Sequence, residues 1–204
     1  MATILLVRHG QNDMVGKKLA GRLPGVNLND QGKAQARRLA AELASLLIKA
    51  VISSPLERAQ QTAEPVARIH DLPVEINVGL EEIDYGTWQG KSIKQLRRSK
   101  LWKTVQERPS TFRFPEGETF TGAQSRIAET LQALSTAYAE KDVIVCVGHC
   151  DMIRLAVAFF LDMPLDAFQR LQISPASVTV LHLKGDQAAF GPINAPAGFP
   201  LFSD

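Results

Sequence analysis

Two histidines, two arginines and one loop of carboxylates could do chemistry in this chain if the fold gathers them. Arg8 and His9 end an apolar run over residues 4–7, whose length and branched side chains fit a short buried strand, and Gly10 follows. In an open α/β sheet, ligands bind in the crevice beyond the carboxyl ends of the strands, and a glycine there turns the backbone without covering the imidazole. Such a place suits an anion held by arginine beside a nucleophilic histidine; a structural turn with a solvated arginine is the plainer alternative. Arg58 falls in the opening turn of a predicted helix, with Ser54 as cap and Pro55 at its first position. Free backbone N–H groups and the positive end of the dipole meet there, which suits an anion between them and the guanidinium. An ion pair with Glu57 or Glu64 would also account for it.

A long apolar run over residues 142–147 reads as a central parallel strand, and it too ends in a glycine and a histidine, Gly148 and His149. Two imidazoles and two guanidiniums can therefore converge on one crevice. Between these motifs, residues 80–90 carry Glu81, Glu82 and Asp84 beside Tyr85, Trp88 and two glycines. A carboxyl in such a partly apolar loop has its pKa raised toward the range of a general acid. Spacing alone leaves open which of the three faces the pocket. His149, Cys150 and Asp151 are adjacent on one turn and do not point at a common ion, so no metal site is expected.

The elements that must position these groups alternate strand and helix. After the first strand, residues 13–25 lack periodicity and contain Gly16, Gly21, Pro24 and Gly25, so they read as a loop over the pocket mouth, and Asn12 before it can donate to an anion. Asn29 or Asp30 caps a helix whose core face is Ala36, Leu39, Ala40, Leu43, Leu46 and Leu47. Further strands are expected over 50–53, 74–78, 172–173 and 178–183. One helix is expected over 92–107 with a basic, solvated side, and another opened by a capping box at Thr121. Residues after Gly191 read as an irregular surface tail.

With 204 residues and 45% hydrophobic content, one compact domain spanning 1–204 is expected. The net charge of +2, from 23 basic and 21 acidic residues, gives no broad field for nucleic acid or a membrane surface. No run approaches a membrane span, and the first apolar run is too short for a secretory signal. Cys146 and Cys150 are the two cysteines, which excludes a disulfide framework and fits a reducing, cytoplasmic setting.

Taken in order, the Leu6-Val7-Arg8-His9-Gly10 segment, the stretch from Ser53 to Ala63, the stretch from Glu81 to Gly90 and the Val147-Gly148-His149 segment resemble the motifs of the histidine phosphatase superfamily, also called phosphoglycerate-mutase-like. The resemblance runs from residue 3 to about 183. It implies a three-layer α/β/α sandwich with a mostly parallel sheet, and a phosphohistidine mechanism without metal or other cofactor. It implies that His9 is the nucleophile, Arg8 and Arg58 the phosphate clamps, a protonated His149 their partner and Glu82 the acid. Arg8, Asn12, Gly21, Arg58, His149 and Cys150 are the implied substrate-binding residues, the substrate being a small phosphorylated metabolite. In mutases of this family the residue after the acid is typically Arg; here it is Ile83, and the following insertion is short, which favours a phosphatase. A cofactor-dependent phosphoglycerate mutase and a silent phospholigand-binding module are the alternatives. Residues 92–117 read as a lid-like insertion, and monomer and homodimer are both open.

Overall fold

A computed structural model describes residues 1–201. Strand β1 (Ala2–Arg8) lies between β4 (Val143–Gly148), to which it is parallel, and β5 (Val178–Lys184), to which it is antiparallel. Next to β4 run β2 (Ile48–Ser53) and β3 (Val74–Ile76), both parallel, and β6 (Gln187–Phe190) closes the far edge, giving the order β3-β2-β4-β1-β5-β6. The expected mostly parallel sandwich is thus present, with its antiparallel pairs confined to one side.

Both faces of the sheet are covered, which is why its central strands read as unbroken apolar runs. Leu5, Val7, Val145 and Val147 pack beneath α1 (Asp30–Leu43) and α2 (Glu57–Ile69). Ile4, Leu6, Ile144 and Cys146 face the other way, into a larger cluster with α5 (Phe120–Ala137) and α6 (Cys150–Phe160). That cluster also takes in Phe112, Phe114, Phe120 and Phe168, whose rings meet edge-on or tilted at about 5 Å.

Several expected boundaries move, each for a local reason. Asn29 is the α1 cap, accepting from Gly32 N–H, but the helix stops at Leu43, so Leu47 lies beyond its periodicity and is exposed. Helix α2 begins at Glu57 rather than Pro55, and Leu56 precedes it without a side-chain cap. The expected helix over 92–107 is two, α3 (Ile93–Leu96) and α4 (Lys100–Glu107), because Ser99 interrupts the run and caps the second. Helix α5 is capped by Thr119, two residues before the expected box. Residues 172–173 form no strand. The β5–β6 hairpin was not expected; it turns through Gly185 and Asp186, with Gly185 at a positive φ of 57°. Residues 191–201 are irregular, pinned where Ala195 pairs with Val178, and the end of the expected tail lies outside the described residues. Among the described residues, no helix is long and apolar enough to cross a membrane.

Candidate active site

Sheet register does the first work. Arg8 stands opposite Gly148 in the β1–β4 pair, and His9 N–H donates to the Gly148 carbonyl at 2.9 Å, so His9 and His149 leave adjacent strands side by side with ring centroids 5.3 Å apart. On the other side of β4, Ser53 pairs with Val147 and Ser54 N–H donates to the Val147 carbonyl at 2.9 Å, bringing Ser54 to His149. Gly10 is required because a Cβ there would meet the backbone of Gly32 at 2.8 Å, where α1 packs against the turn.

The two imidazoles are held in different tautomers. His9 Nδ1 lies 2.7 Å from its neighbour's carbonyl, that of Gly10, and can only donate to it, which leaves Nε2 as the nitrogen with the lone pair. Burial, with Arg58 and Arg8 beside it, pushes this imidazole down to about 3 against the opposing pull of the Gly10 carbonyl. His9 is therefore neutral at neutral pH. His149 is fully buried; its Nδ1 accepts from Arg58 Nη2 at 3.3 Å and its Nε2–H donates to Ser54 Oγ at 2.8 Å. Burial first, then Arg58, His9 and Arg8, hold it well below the ordinary imidazole range. A protonated His149, as the resemblance implies, does not fit these contacts: its Nδ1 faces a guanidinium that can only donate. The Ser54 hydroxyl, expected as a helix cap, accepts from Leu56 N–H at 3.3 Å, just before the helix, and meets this histidine as well.

Arg58 is buried, and Nη2 donates to the Gly21 carbonyl at 2.7 Å. Glu57 turns away to accept from Gly25 N–H at 2.9 Å, which removes the ion-pair explanation for Arg58. Arg8 donates from Nη1 to the Ile173 carbonyl at 2.6 Å, the work residues 172–173 do in place of a strand. Among the described residues neither guanidinium forms a salt bridge, and Arg8 Nε, Arg58 Nε and Arg58 Nη1 are buried donors without a protein partner. Buried cationic donors left unpaired by the protein are costly unless an anion takes them. Gly21 holds its carbonyl there with φ at 53°, and a Cβ would collide with the Gln89 side chain.

Arg8, His9, Gly21 and Arg58 line a cavity of about 200 Å³ together with Asn12, Glu82, Tyr85, Cys150 and Asp151, whereas His149 is fully buried and not in its lining. Asn12 Oδ1 is engaged by Met14 and Val15 N–H at 2.9 and 3.1 Å, leaving its amide nitrogen as the group able to donate outward. Cys150 is a thiol, its pKa pushed up to about 11 chiefly by burial, and Sγ lies 3.6 Å from the Ile173 carbonyl. Of the three loop carboxylates, Glu82 alone lines the cavity; Glu81 sits 3.4 Å from Arg22, and Asp84 accepts from Gly86 N–H. Burial first, then the nearby Asp151 carboxylate, raise Glu82 to about 7 despite the hydrogen bond from Ile83 N–H and the attraction of Arg58 and Arg8. Ile83 itself is fully buried in the core.

The model of the histidine phosphatase superfamily (branch 1) matches residues 4–195. The chain belongs to that superfamily. A phosphoserine phosphatase of Hydrogenobacter thermophilus is 28% identical over 189 residues, covering 90% of this chain and 88% of that one. A 2,3-bisphosphoglycerate-dependent phosphoglycerate mutase of Thermoplasma acidophilum is 29% identical over the same length, with the same coverage. Among solved structures, Bacillus stearothermophilus YhfR superposes with a TM-score of 0.88 at 26% identity, covering 96% of this chain and 98% of that one. Like its superfamily relatives, this chain is an enzyme.

Two groups at this histidine phosphatase site escaped the sequence reading. Asp151 accepts from Tyr85 OH at 3.0 Å and from Arg154 at 2.9 Å while lining the cavity. Behind Glu82, Glu118 accepts from Arg22 Nη2 at 2.9 Å and from Arg126 Nη2 at 3.0 Å. The residues join across 96 and 8 positions. Arg154, three positions after Asp151 on α6, was the only local signal, and it reads as an ordinary helix pair.

Proposed function

We propose that the chain hydrolyses phosphomonoesters of small metabolites through a phosphohistidine formed on His9. The observation that carries this reading is the pairing of a neutral His9, its Nδ1–H committed to Gly10, with buried, unpaired donors of Arg8 and Arg58 in the same cavity. The Nε2 lone pair attacks phosphorus and the bond to the ester oxygen breaks. Arg8 and Arg58 take up charge on the non-bridging oxygens, and neutral His149 fixes the Arg58 guanidinium from its far side. Protonated Glu82 gives its proton to the leaving oxygen. Its carboxylate then takes a proton from water, whose oxygen attacks phosphorus as the P–N bond breaks, releasing orthophosphate and restoring both residues. Asn12, Gly21 and Cys150 complete the substrate-binding wall in this reading.

A mutase would have to grip the substrate's carboxylate and keep the phosphoenzyme dry. The relative named as a mutase keeps that alternative in view, but Ile83, after the acid, is sealed in the core and offers no such grip. Incubation with a ³²P-labelled phosphomonoester followed by a rapid quench tests the proposal. Acid-labile label on the protein, lost in His9→Ala together with phosphate release, is the expected result. A His9→Ala protein with full turnover would sink it, and binding without label would mark a silent phospholigand module.

A further inference from the structure

Beyond its two arginines and His9 the catalytic cavity changes character. Met14, Val15, Leu19 and Ile93 also line it, and besides Asn12, Lys18 and Cys150 the remaining polar groups, Glu82, Tyr85 and Asp151, are acids. The nearby cations are already committed. Arg22 is bound to Glu118 and faces Glu81, Arg126 is bound to Glu118, and Arg154 is bound to Asp151 and to the Leu171 carbonyl at 2.7 Å. The basic side of α3 and α4 is exposed and contributes no side chain to the cavity. Lys18 is the one further cation in the lining, and it is exposed at the mouth.

A second cavity of about 290 Å³ adjoins the first through Leu19, Tyr85 and Asp151, which line both. Its walls include Trp88, Trp102 and Phe114, with the two indoles nearly parallel at 18° and 6.3 Å between centroids, beside Gln106, Gln169 and the Arg154 already bound to Asp151. The groups that would meet a leaving alcohol are thus apolar side chains and acids, with amides, one committed guanidinium and one exposed lysine among them.

Resting on the hydrolase reading, we infer that the preferred leaving alcohol is uncharged and mainly apolar. Its apolar part passes Leu19 and Tyr85 into the second cavity, and esters with a carboxylate beside the phosphate are poor substrates. A carboxylate on the second carbon from the ester oxygen, as in O-phosphoserine and 3-phosphoglycerate, would enter a lining that holds the Glu82 and Asp151 carboxylates and in which the guanidiniums beyond the phosphate clamps are engaged, a desolvation cost without compensation. An aromatic or branched apolar group instead removes its own surface and that of the tryptophans from water.

The test compares unactivated alkyl esters, so that leaving-group acidity does not decide the order. Benzyl phosphate, ethyl phosphate, O-phosphoserine and 3-phosphoglycerate are assayed for phosphate release by the intact protein. Benzyl phosphate is expected to exceed both carboxylate esters in kcat/KM by about tenfold or more, the scale on which a pocket discriminates by apolar contact and unpaired polar groups. Trp102→Ala is expected to raise KM for benzyl phosphate and leave KM for ethyl phosphate unchanged. Carboxylate esters turned over as fast as benzyl phosphate would overturn the inference, and so would a Trp102→Ala protein whose KM moves equally for both neutral esters. If no ester is hydrolysed and no phosphoenzyme is trapped, the hydrolase reading falls and this inference with it.

Discussion

Arg22 donates from Nε to the carbonyl of Glu82 over 2.8 Å, tying the loop that carries Gly21 to the residue that carries the cavity's buried carboxyl. Glu118 holds that arginine by its other end, holds Arg126 on α5, and accepts from Asp84 N–H at 3.0 Å. Arg126 in turn donates to the carbonyls of Gly79 and Glu81 at 2.9 and 2.8 Å. One carboxylate therefore braces both sides of the acid. Glu118→Ala removes the carboxylate that two largely buried guanidiniums share, leaving Arg22 the more distant Glu81 and Arg126 only carbonyls, a loss of about 1–3 kcal/mol in urea unfolding. Glu118→Gln, which keeps an acceptor for Arg22, is expected to lose less. Both variants should lose more kcat on alkyl than on aryl phosphates, because a misplaced acid matters most for a poor leaving group.

Glu82 should show itself in the pH profile. Protonation of the leaving oxygen needs the neutral acid, so kcat/KM for alkyl esters is expected to fall as pH rises through about 7. Glu82→Gln should remove that limb and slow alkyl esters far more than aryl esters. Equal losses on both classes would assign the proton to another group.

The same carboxyl carries a stability signature of the opposite sign to an ordinary ion-paired acid. Its folded pKa of about 7 stands above the ordinary 4.5, so between those values the folded state holds more protons than the unfolded one and stability falls as pH rises. Glu82→Gln should therefore be more stable than the parent at pH 8, with the advantage shrinking toward pH 5. For His9 the folded value of about 3 lies below the ordinary 6.5, so the unfolded state gains the proton first and stability is lost as pH falls below 6.5. His9→Gln should blunt that acid loss in thermal unfolding followed from pH 7 to pH 4. A parallel fall in both proteins would mean that burial of His9 does not set its charge.

Legibility followed locality. The ends of β1 and β4 could be read because buried parallel strands are continuous apolar runs, and His9 and His149 break them at the rim. The choice among Glu81, Glu82 and Asp84 could not be read from spacing, since it depends on Arg22 and on the neighbouring amides. Ser54 has the residue type of a helix cap, and only the register of β2 on β4 gives its hydroxyl to His149. Charge posed the same difficulty: the resemblance implies a cationic histidine at the phosphate site, yet burial and the Arg58 guanidinium at its Nδ1 hold His149 well below the ordinary imidazole range. Asp151 drew notice only as one of three adjacent residues set aside as metal ligands, because Arg154 three residues on reads as an ordinary helix pair and Tyr85 comes from another element.

Arg58 offers the cleanest separation of anion binding from chemistry. Its Nε and Nη1 are buried without a protein partner, while Nη2 is fixed by Gly21 and His149. An anion that takes those donors binds the folded state alone, and orthophosphate at 100 times its dissociation constant adds about 2.7 kcal/mol to stability. The thermal midpoint of the parent should therefore climb with phosphate concentration. Arg58→Ala should lose the climb, although without phosphate it need not be the less stable protein, since the substitution removes a buried cation along with its hydrogen bonds. Chloride at matched ionic strength should not reproduce the effect, because a general salt response would shift both proteins alike. A phosphate-dependent rise that survives intact in Arg58→Ala would move the anion away from this guanidinium and leave its buried donors without the role assigned to them.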